Sequence, residues 1–435
     1  MPHTESPSAP DDTAPVPRAF ARLTGAAPDD ITGSEARNGL IHVAALSLTK
    51  VGDSMINPKL VLAWLLTTLG APGVVIGALV PVREAGALLP QLALARRVEA
   101  ASQRKRIWAA AAALQGLAAL GIAAAVLTLE GAAAGWTVLA LVALLAMARA
   151  AASVSYKDVL ARTIAKGRRG AVTGFAAGAA SVAAFGFGLS MALGLFDVAL
   201  PGLAGAVALA GMAFLLAGAL FLRLREPARD GNTSTPAGIA ALFRPLREDR
   251  QLQIFVAARA ALSVTALAPP FIVMLSSAQG GGALDQLGPM LMASTAAAVL
   301  SAYVWGRLSD RSSRQTLMAA GGLAALVLLL TGLAGIVLGS LGGAWGAGLA
   351  IFAAQIAYEG VRAGRKLHLT DMAEDDFRAR YTALSNTLIG VALMAGGLFG
   401  VLADIWGPAV LLLVFAPISL LGAALATGLA EVQQG

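Results

Sequence analysis

A chain that repeats apolar stretches of about twenty residues, separated only by short polar breaks, has few folds open to it, because a helix needs roughly that length to cross about 30 Å of hydrocarbon. By this rule the sequence predicts twelve spans. Six cover 39–69, 71–95, 106–129, 134–156, 170–195 and 199–222, and six more cover 251–277, 285–306, 315–338, 342–361, 381–404 and 407–430. Helices that are apolar all round must sit in a core or in lipid. With 57% hydrophobic and only 13% charged residues, against about 25% charged in soluble domains, lipid is the solvent that fits. The predicted fold class is an all-α polytopic membrane protein of two six-helix halves.

The arrangement of Lys and Arg tests this division, since they accumulate in cytoplasmic loops. Bases fall in the N-terminal tail and in the segments Arg96 to Arg106, Lys157 to Arg169, Arg223 to Arg250, Arg307 to Arg314 and Arg362 to Arg380. The loops of the opposite face hold only acids: Glu130, Asp197, Asp285 and Asp404. The expected topology therefore has both termini cytoplasmic, in a bacterial inner membrane. A formal charge of +7 spread over short loops, without aromatic or glycine-rich interleaving, excludes a nucleic-acid partner. Absence of cysteine excludes disulfides and thiolate metal sites.

Pro58 and Pro269 lie 211 residues apart, and Trp136 and Trp345 lie 209 apart, in corresponding spans. A near-constant offset implies duplication, which places a binding site between the halves near the membrane midplane. The predicted organisation is a disordered cytoplasmic tail over 1–38, bundles over 39–222 and 251–430, a linker over 223–250, and a tail over 431–435. A short surface helix over 18–32 is an equal alternative for that part of the tail. In the linker, Ile239 to Phe243 with flanking Arg predicts a helix lying on the inner membrane surface.

Between the eighth and ninth spans runs Gly306-Arg307-Leu308-Ser309-Asp310-Arg311-Ser312-Ser313-Arg314. It resembles the G-x-L-x-D-R-x-G-R signature found after the second and eighth helices of the major facilitator superfamily. Gly306, Leu308, Asp310, Arg311 and Arg314 match, and Ser313 replaces the second glycine. A glycine at such a place lets a neighbouring helix approach, and an Asp among arginines offers a charge pair that one conformation makes and another breaks. The corresponding first-half segment, Gln91 to Arg97, keeps bases but lacks the Gly and the Asp. Val51-Gly52-Asp53 with Arg83 is similar to drug-efflux and siderophore-export branches of that superfamily. Arg149 is similar to the fourth-helix Arg of its proton-driven exporters, although Ala152 and Ser153 depart from their pattern. The fifth helix has Gly174, Gly178, Gly186 and Gly188 without the Gly-Pro pair of drug/proton antiporters. The resemblance implies alternating access over residues 39–430, with proton coupling and export as expectations.

Ionisable groups within lipid cost at least about 2.5–3.5 kcal/mol each, so they face cavities and pair. Counting about 1.5 Å per residue places Lys50, Asp53, Arg83 and Glu84 near the midplane, Lys59 closer to the outer boundary, and Arg149, Arg259 and Glu359 in the inner half. Lys50 and Asp53 share a helix face. The expected network joins Asp53 to Arg83 and Lys50 to Glu84, either as a proton-carrying centre or as a permanent brace. Trp64, Phe271 and Tyr303 are the candidate cavity aromatics. His42 is expected at the membrane interface and His368 in a basic loop. Pro58 and Pro269-Pro270 are expected to kink the first and seventh spans near the outer mouth. Gly396, Gly397 and Gly400 are expected to permit close packing of the eleventh span.

No phosphate-binding G-x-x-x-x-G-K-[ST] loop, metal helix or nucleophile arrangement occurs, so no enzyme, cofactor or metal is implied. The predicted activity is secondary transport of a small organic solute with protons as coupling ion, by a monomer in the bilayer. The competing reading is a transport-inactive scaffold or assembly factor that keeps the fold, for which the altered first-half loop is the support. Costly midplane charges favour the transporter.

Overall fold

The computed structural model describes residues 15–25, 27, 30–91, 94, 98, 101–195, 199–227, 239–277, 284–372 and 375–433. Its elements are helices. In the first half they are α1 (Pro15–Thr24), α2 (Gly33–Met55), α3 (Val61–Thr68), α4 (Gly73–Leu88), α5 (Arg104–Thr128), α6 (Gly131–Thr163), α7 (Arg169–Ala192) and α8 (Leu200–Leu222). After α9 (Ile239–Glu248) the second half comprises α10 (Arg250–Leu262), α11 (Val264–Ser277), α12 (Leu284–Arg311), α13 (Ser313–Val337), α14 (Gly343–Met372), α15 (Asp375–Gly396), α16 (Phe399–Trp406) and α17 (Pro408–Ala426).

Among the described residues, nine helical stretches are long and apolar enough to cross a membrane; they correspond to the third to ninth, eleventh and twelfth predicted spans. The first, second and tenth are helical but fall short of that measure, and they carry the half-buried Lys50, Asp53, Arg83, Glu84 and Glu359. Their polarity comes from facing the interior of the assembly rather than lipid. On the outside, Leu117, Met212, Leu300, Leu330 and Leu420 are each more than half exposed, forming the apolar coat that a bilayer covers.

The helix pairings of one half recur in the other. α5 packs on α8 as α13 packs on α17, α4 on α6 as α12 on α14, and α2 on α8 as α10 and α11 on α17. Small residues set the spacing at equivalent points. A Cβ at Gly116 would lie 2.8 Å from the Gly211 carbonyl oxygen on α8, and one at Gly332 2.9 Å from the Ala409 carbonyl oxygen on α17. Contact between the halves comes from α7 with α12, from α4 with α15 and α16, and from α3 with α11.

Breaks occur at matching places. α2 ends at Met55, and the chain resumes as α3 at Val61, because Pro58 has no N–H to continue the ladder. The seventh span breaks at Ser263, more than a turn before the predicted kink, while Pro269 and Pro270 lie inside α11; each proline removes a hydrogen bond to the carbonyl four residues earlier. The eleventh breaks between Gly396 and Phe399.

Of the two expectations for the N-terminal tail, the structure has the helix, shifted toward the N-terminus. Residues 15–24 form α1, and α2 starts at Gly33 rather than 39, with the Thr32 side chain accepting a hydrogen bond from the Glu35 amide at 3.2 Å. Pro15 and Pro17 stand in the first turn of α1, where a missing N–H costs nothing. Phe20 is fully buried with Ile31, Ala36, Val43 and Val172, so hydrophobic burial fixes a segment whose composition reads as disorder. Residues 1–14 and 228–238, Asp197, Arg96 and Arg97 lie outside the described residues. The linker helix is present as α9.

Candidate functional site

Three helices of the first half meet at Asp53. One carboxylate oxygen accepts from Arg83 Nη2 of α4 at 2.8 Å, and the other accepts from Arg149 Nη1 of α6. Asp53 reaches both because α2 is still helical there, while Gly52 packs flush against Phe214 and the Ala210 carbonyl of α8. Asp53 and Arg83 are largely enclosed, whereas Arg149 retains 39% of its side-chain exposure. A cavity of about 280 Å³ runs from Lys50, Asp53 and Arg149 past Gln115 and Tyr156 to the exposed Lys157.

The predicted network is thus half right. Asp53 does pair with Arg83, but its second partner is Arg149, not a residue apart in the inner half. Lys50 forms an ion pair with neither Asp53 nor Glu84 among the described residues, because both Asp53 oxygens are taken by arginine. Glu84, next to Arg83 in sequence, projects in a different direction around α4 and lines a small space with Arg259, Ser263, Tyr358 and Arg365 of the second half.

In that half, Arg259 of α10 is 8% exposed. It donates to Ser385 Oγ at 2.7 Å and Asn386 Oδ1 at 3.0 Å, both on α15. Its Nε has no acceptor. Glu359 of α14 accepts from Gln355 at 3.0 Å and pairs with Arg362 at 3.2 Å. Lys59, from the break between α2 and α3, places its ammonium 3.2 Å from the centre of the Tyr358 ring, a cation–π contact that crosses between halves.

Sequence reasoning missed Tyr358, Arg362, Arg365, Ser385 and Asn386. Arg362 and Arg365 fell into a predicted loop, yet α14 continues to Met372. The spacing of Glu359, Arg362 and Arg365 by three, with Tyr358 beside them, is the helical signal that could have found them. Of the candidate aromatics, Trp64 and Phe271 are sealed in the core, and Tyr303 is 64% exposed under Arg307. His42 is buried rather than interfacial, with Nε2 2.8 Å from Thr163 Oγ1 and its ring edge-on to Tyr156 and Phe221. His368 is buried in α14, with Nδ1 2.8 Å from Ser313 Oγ.

The two ends of the assembly differ. At the acidic-loop end, Asp404 of α16 accepts from the Gly73 and Val74 amides at 2.7 and 2.8 Å, capping the first turn of α4 across the interface between halves, where a carboxylate is favoured. A Cβ on Gly400 would lie 2.6 Å from the Gly73 carbonyl oxygen and Val74 Cα, and one on Gly188 2.8 Å from the Met292 amide nitrogen. At the basic-loop end, ion pairs run within each half: Arg104 and Arg162 with Asp158, Arg168 with Glu35, and Arg314 with Glu431 at 3.6 Å. Asp310 and Arg311 are exposed. They make no ion pair among the described residues, and no atom lies within 4 Å of the place a Cβ on Gly306 would take. The expected close helix approach at Gly306 is therefore absent here, and Leu308 packs only within its own half. The halves are closed against each other at the acidic end, and the charged cavity reaches toward the basic end.

Removing the Asp404 cap by Asp404→Ala should loosen this closure by about 0.5–2 kcal/mol, the worth of such a cap. In this cysteine-free chain, an Ala78→Cys reporter beside Gly397 should then alkylate roughly two- to thirtyfold faster; an unchanged rate would show that the cap contributes nothing to closure.

A family model described as Major Facilitator Superfamily matches residues 43–365. The fold is similar to a mutant of the nucleoside transporter NupG, at 12% identity over 90% of this chain and 99% of that one, with a TM-score of 0.69. It is also similar to a POT family transporter in complex with a thioalcohol-conjugated peptide, at 10% identity, 89% and 95% coverage and a TM-score of 0.67. A bacterial homolog of the human lysosomal transporter Spinster aligns at 12% identity, 91% and 98% coverage and a TM-score of 0.61. No curated protein matches the chain.

Proposed function

Because the chain belongs to the Major Facilitator Superfamily, we propose that it is a secondary transporter that moves a small organic solute across a bacterial inner membrane by alternating access, coupled to protons. The observation that carries this reading is Asp53, held by arginines from two other helices at the head of a cavity that reaches toward the basic end, while Asp404 and Gly400 hold the halves together at the acidic end. With the basic loops cytoplasmic, this is a state open to the cytoplasm. Rocking of the halves opens the acidic end and brings the basic ends together, where Asp310, Arg311 and Arg314 gain partners across the interface.

Proton coupling follows from the chemistry of the triad. Arg83 and Arg149 neutralise the Asp53 carboxylate in this state. If rocking draws an arginine away, a proton is the replacement, so the carboxylate couples proton occupancy to conformation. An enclosed acid shared between two bases suits a carrier, and a scaffold has no use for it. Export is the direction suggested by the Val51-Gly52-Asp53 and Arg83 resemblance.

The test is purified protein in liposomes that contain a pH-sensitive dye. Addition of solutes from a metabolite library should produce dye responses with at least one solute and none in protein-free liposomes. Silence throughout, with correctly inserted protein, would remove proton-coupled transport and favour the scaffold.

A further inference from the structure

The charges that converge between the halves do not balance. Asp53 is matched by Arg83 and Arg149, and Glu359 by Arg362. Lys50 lines the first-half cavity, and Arg259 and Arg365 line the small space between halves. Against these three cations stands one further carboxylate, Glu84. With Lys59 over the Tyr358 ring, the group holds seven cations and three carboxylates, a surplus of four positive charges, of which Arg149 and Arg362 keep part of their side chains in solvent.

Arg259 shows where the deficit is sharpest. It is 8% exposed, and no described carboxylate lies within ion-pair distance of it. Guanidinium carries five N–H donors; two are engaged by the neutral oxygens of Ser385 and Asn386, and Nε has no acceptor. Those two residues fix the plane of the fork while leaving donors for another oxygen pair. An enclosed cation with neutral partners is costly unless something anionic completes it, and a carboxylate or phosphate fits the fork geometry.

We infer that the transported solute is a small organic anion whose carboxylate or phosphate group is held by Arg259, within the positive field of Lys50 and Arg365. This rests on the transporter reading above and names the class of its solute. A neutral solute would leave the Arg259 charge without a counter-charge, and a cation would be repelled by the surplus. Tyr358, which lines the same small space as Arg259 and Glu84, carries the Lys59 ammonium over its ring and so brings a further cation to the site.

The experiment uses the purified full chain and an ultrafiltered small-molecule cell extract split into anion-exchanger-retained, cation-exchanger-retained and unretained fractions. Thermal stabilisation is read for the wild type, for Arg259→Gln, and for Arg106→Gln as an exposed charge at the start of α5, outside the cavity. Stabilising activity should be confined to the anionic fraction. Arg259→Gln should need about ten- to hundredfold more of that fraction for the same shift, the worth of a hydrogen bond to a charged group, while Arg106→Gln should match the wild type. Activity in the unretained or cationic fraction, no active fraction, or an unaltered response in Arg259→Gln overturns the inference. An active neutral or cationic fraction that also drives the dye response would leave the transporter reading standing without it. If Arg259→Gln is poorly folded, Arg259→Lys decides: it keeps the charge, and it should bind the anionic fraction more weakly than wild type but more tightly than any neutral variant.

Discussion

Asp53→Asn is expected to reduce solute-driven proton movement to the passive leak rate while solute exchange between equal pools remains measurable. Asparagine is nearly isosteric with aspartate and still offers an oxygen to Arg83, but it cannot take up a proton. Any step that depends on exchanging an arginine for a proton at this position stops. Substitution also leaves Arg83 and Arg149 facing one another without their shared carboxylate. For fully buried pairs such loss costs about 3–5 kcal/mol; Arg149 keeps 39% of its side chain exposed, so water screens the repulsion and a cost on the order of 2 kcal/mol is expected. Folding and coupling are therefore separable. Asp53→Glu restores a titratable carboxylate and should recover part of the proton signal. Dye traces of Asp53→Asn indistinguishable from wild type would show that Asp53 braces helices and carries no proton.

The sequence makes some parts of this protein legible and hides others for physical reasons. Lipid demands length and apolarity, and both are one-dimensional properties, so span positions, the duplication and the segregation of Arg-rich loops can be read without coordinates. Partners within the membrane cannot. Asp53 and Arg83 can be paired because consecutive spans are neighbours, whereas Arg149 comes from α6, which only the tertiary packing against α2 and α4 brings to Asp53. Glu84 was given to Lys50 although it faces the second half, since direction around a helix is undetermined until the packing face is known. Arg362 and Arg365 are hidden by the same rule that divides the sequence into spans and loops: bases near a span end count as loop. α1 overlaps the surface helix over 18–32 that the sequence offers as an equal alternative to disorder, and the burial of Phe20 that decides between the two is tertiary.

Gly400→Val should stop transport by preventing closure at the acidic end. A Cβ there would meet the Gly73 carbonyl oxygen, the Val74 Cα and the Gly73 carbonyl carbon at 2.6, 2.6 and 3.1 Å. These are backbone atoms of α4, which cannot swing aside as a side chain would. The cost falls on the closed state alone, since separated halves leave room for the valine, so the substitution acts as a wedge and not as a general destabiliser. Overpacking costs typically about 1–3 kcal/mol; with backbone on the far side and two further methyl groups, the upper end applies, which is roughly a hundredfold shift in population. That exceeds the Asp404→Ala effect, because a lost cap removes an attraction while the wedge introduces a clash. The Ala78→Cys reporter should become reactive toward a membrane-impermeant reagent added outside cells, and solute exchange should fall by about two orders of magnitude. Gly322→Val is the control: it changes the same residue type in α13, at a place with no atom within 4 Å of the added Cβ, and should leave labelling and exchange near wild type. Labelling of Gly400→Val only from the inner side would invert the topology, because the acidic end would then face the cytoplasm.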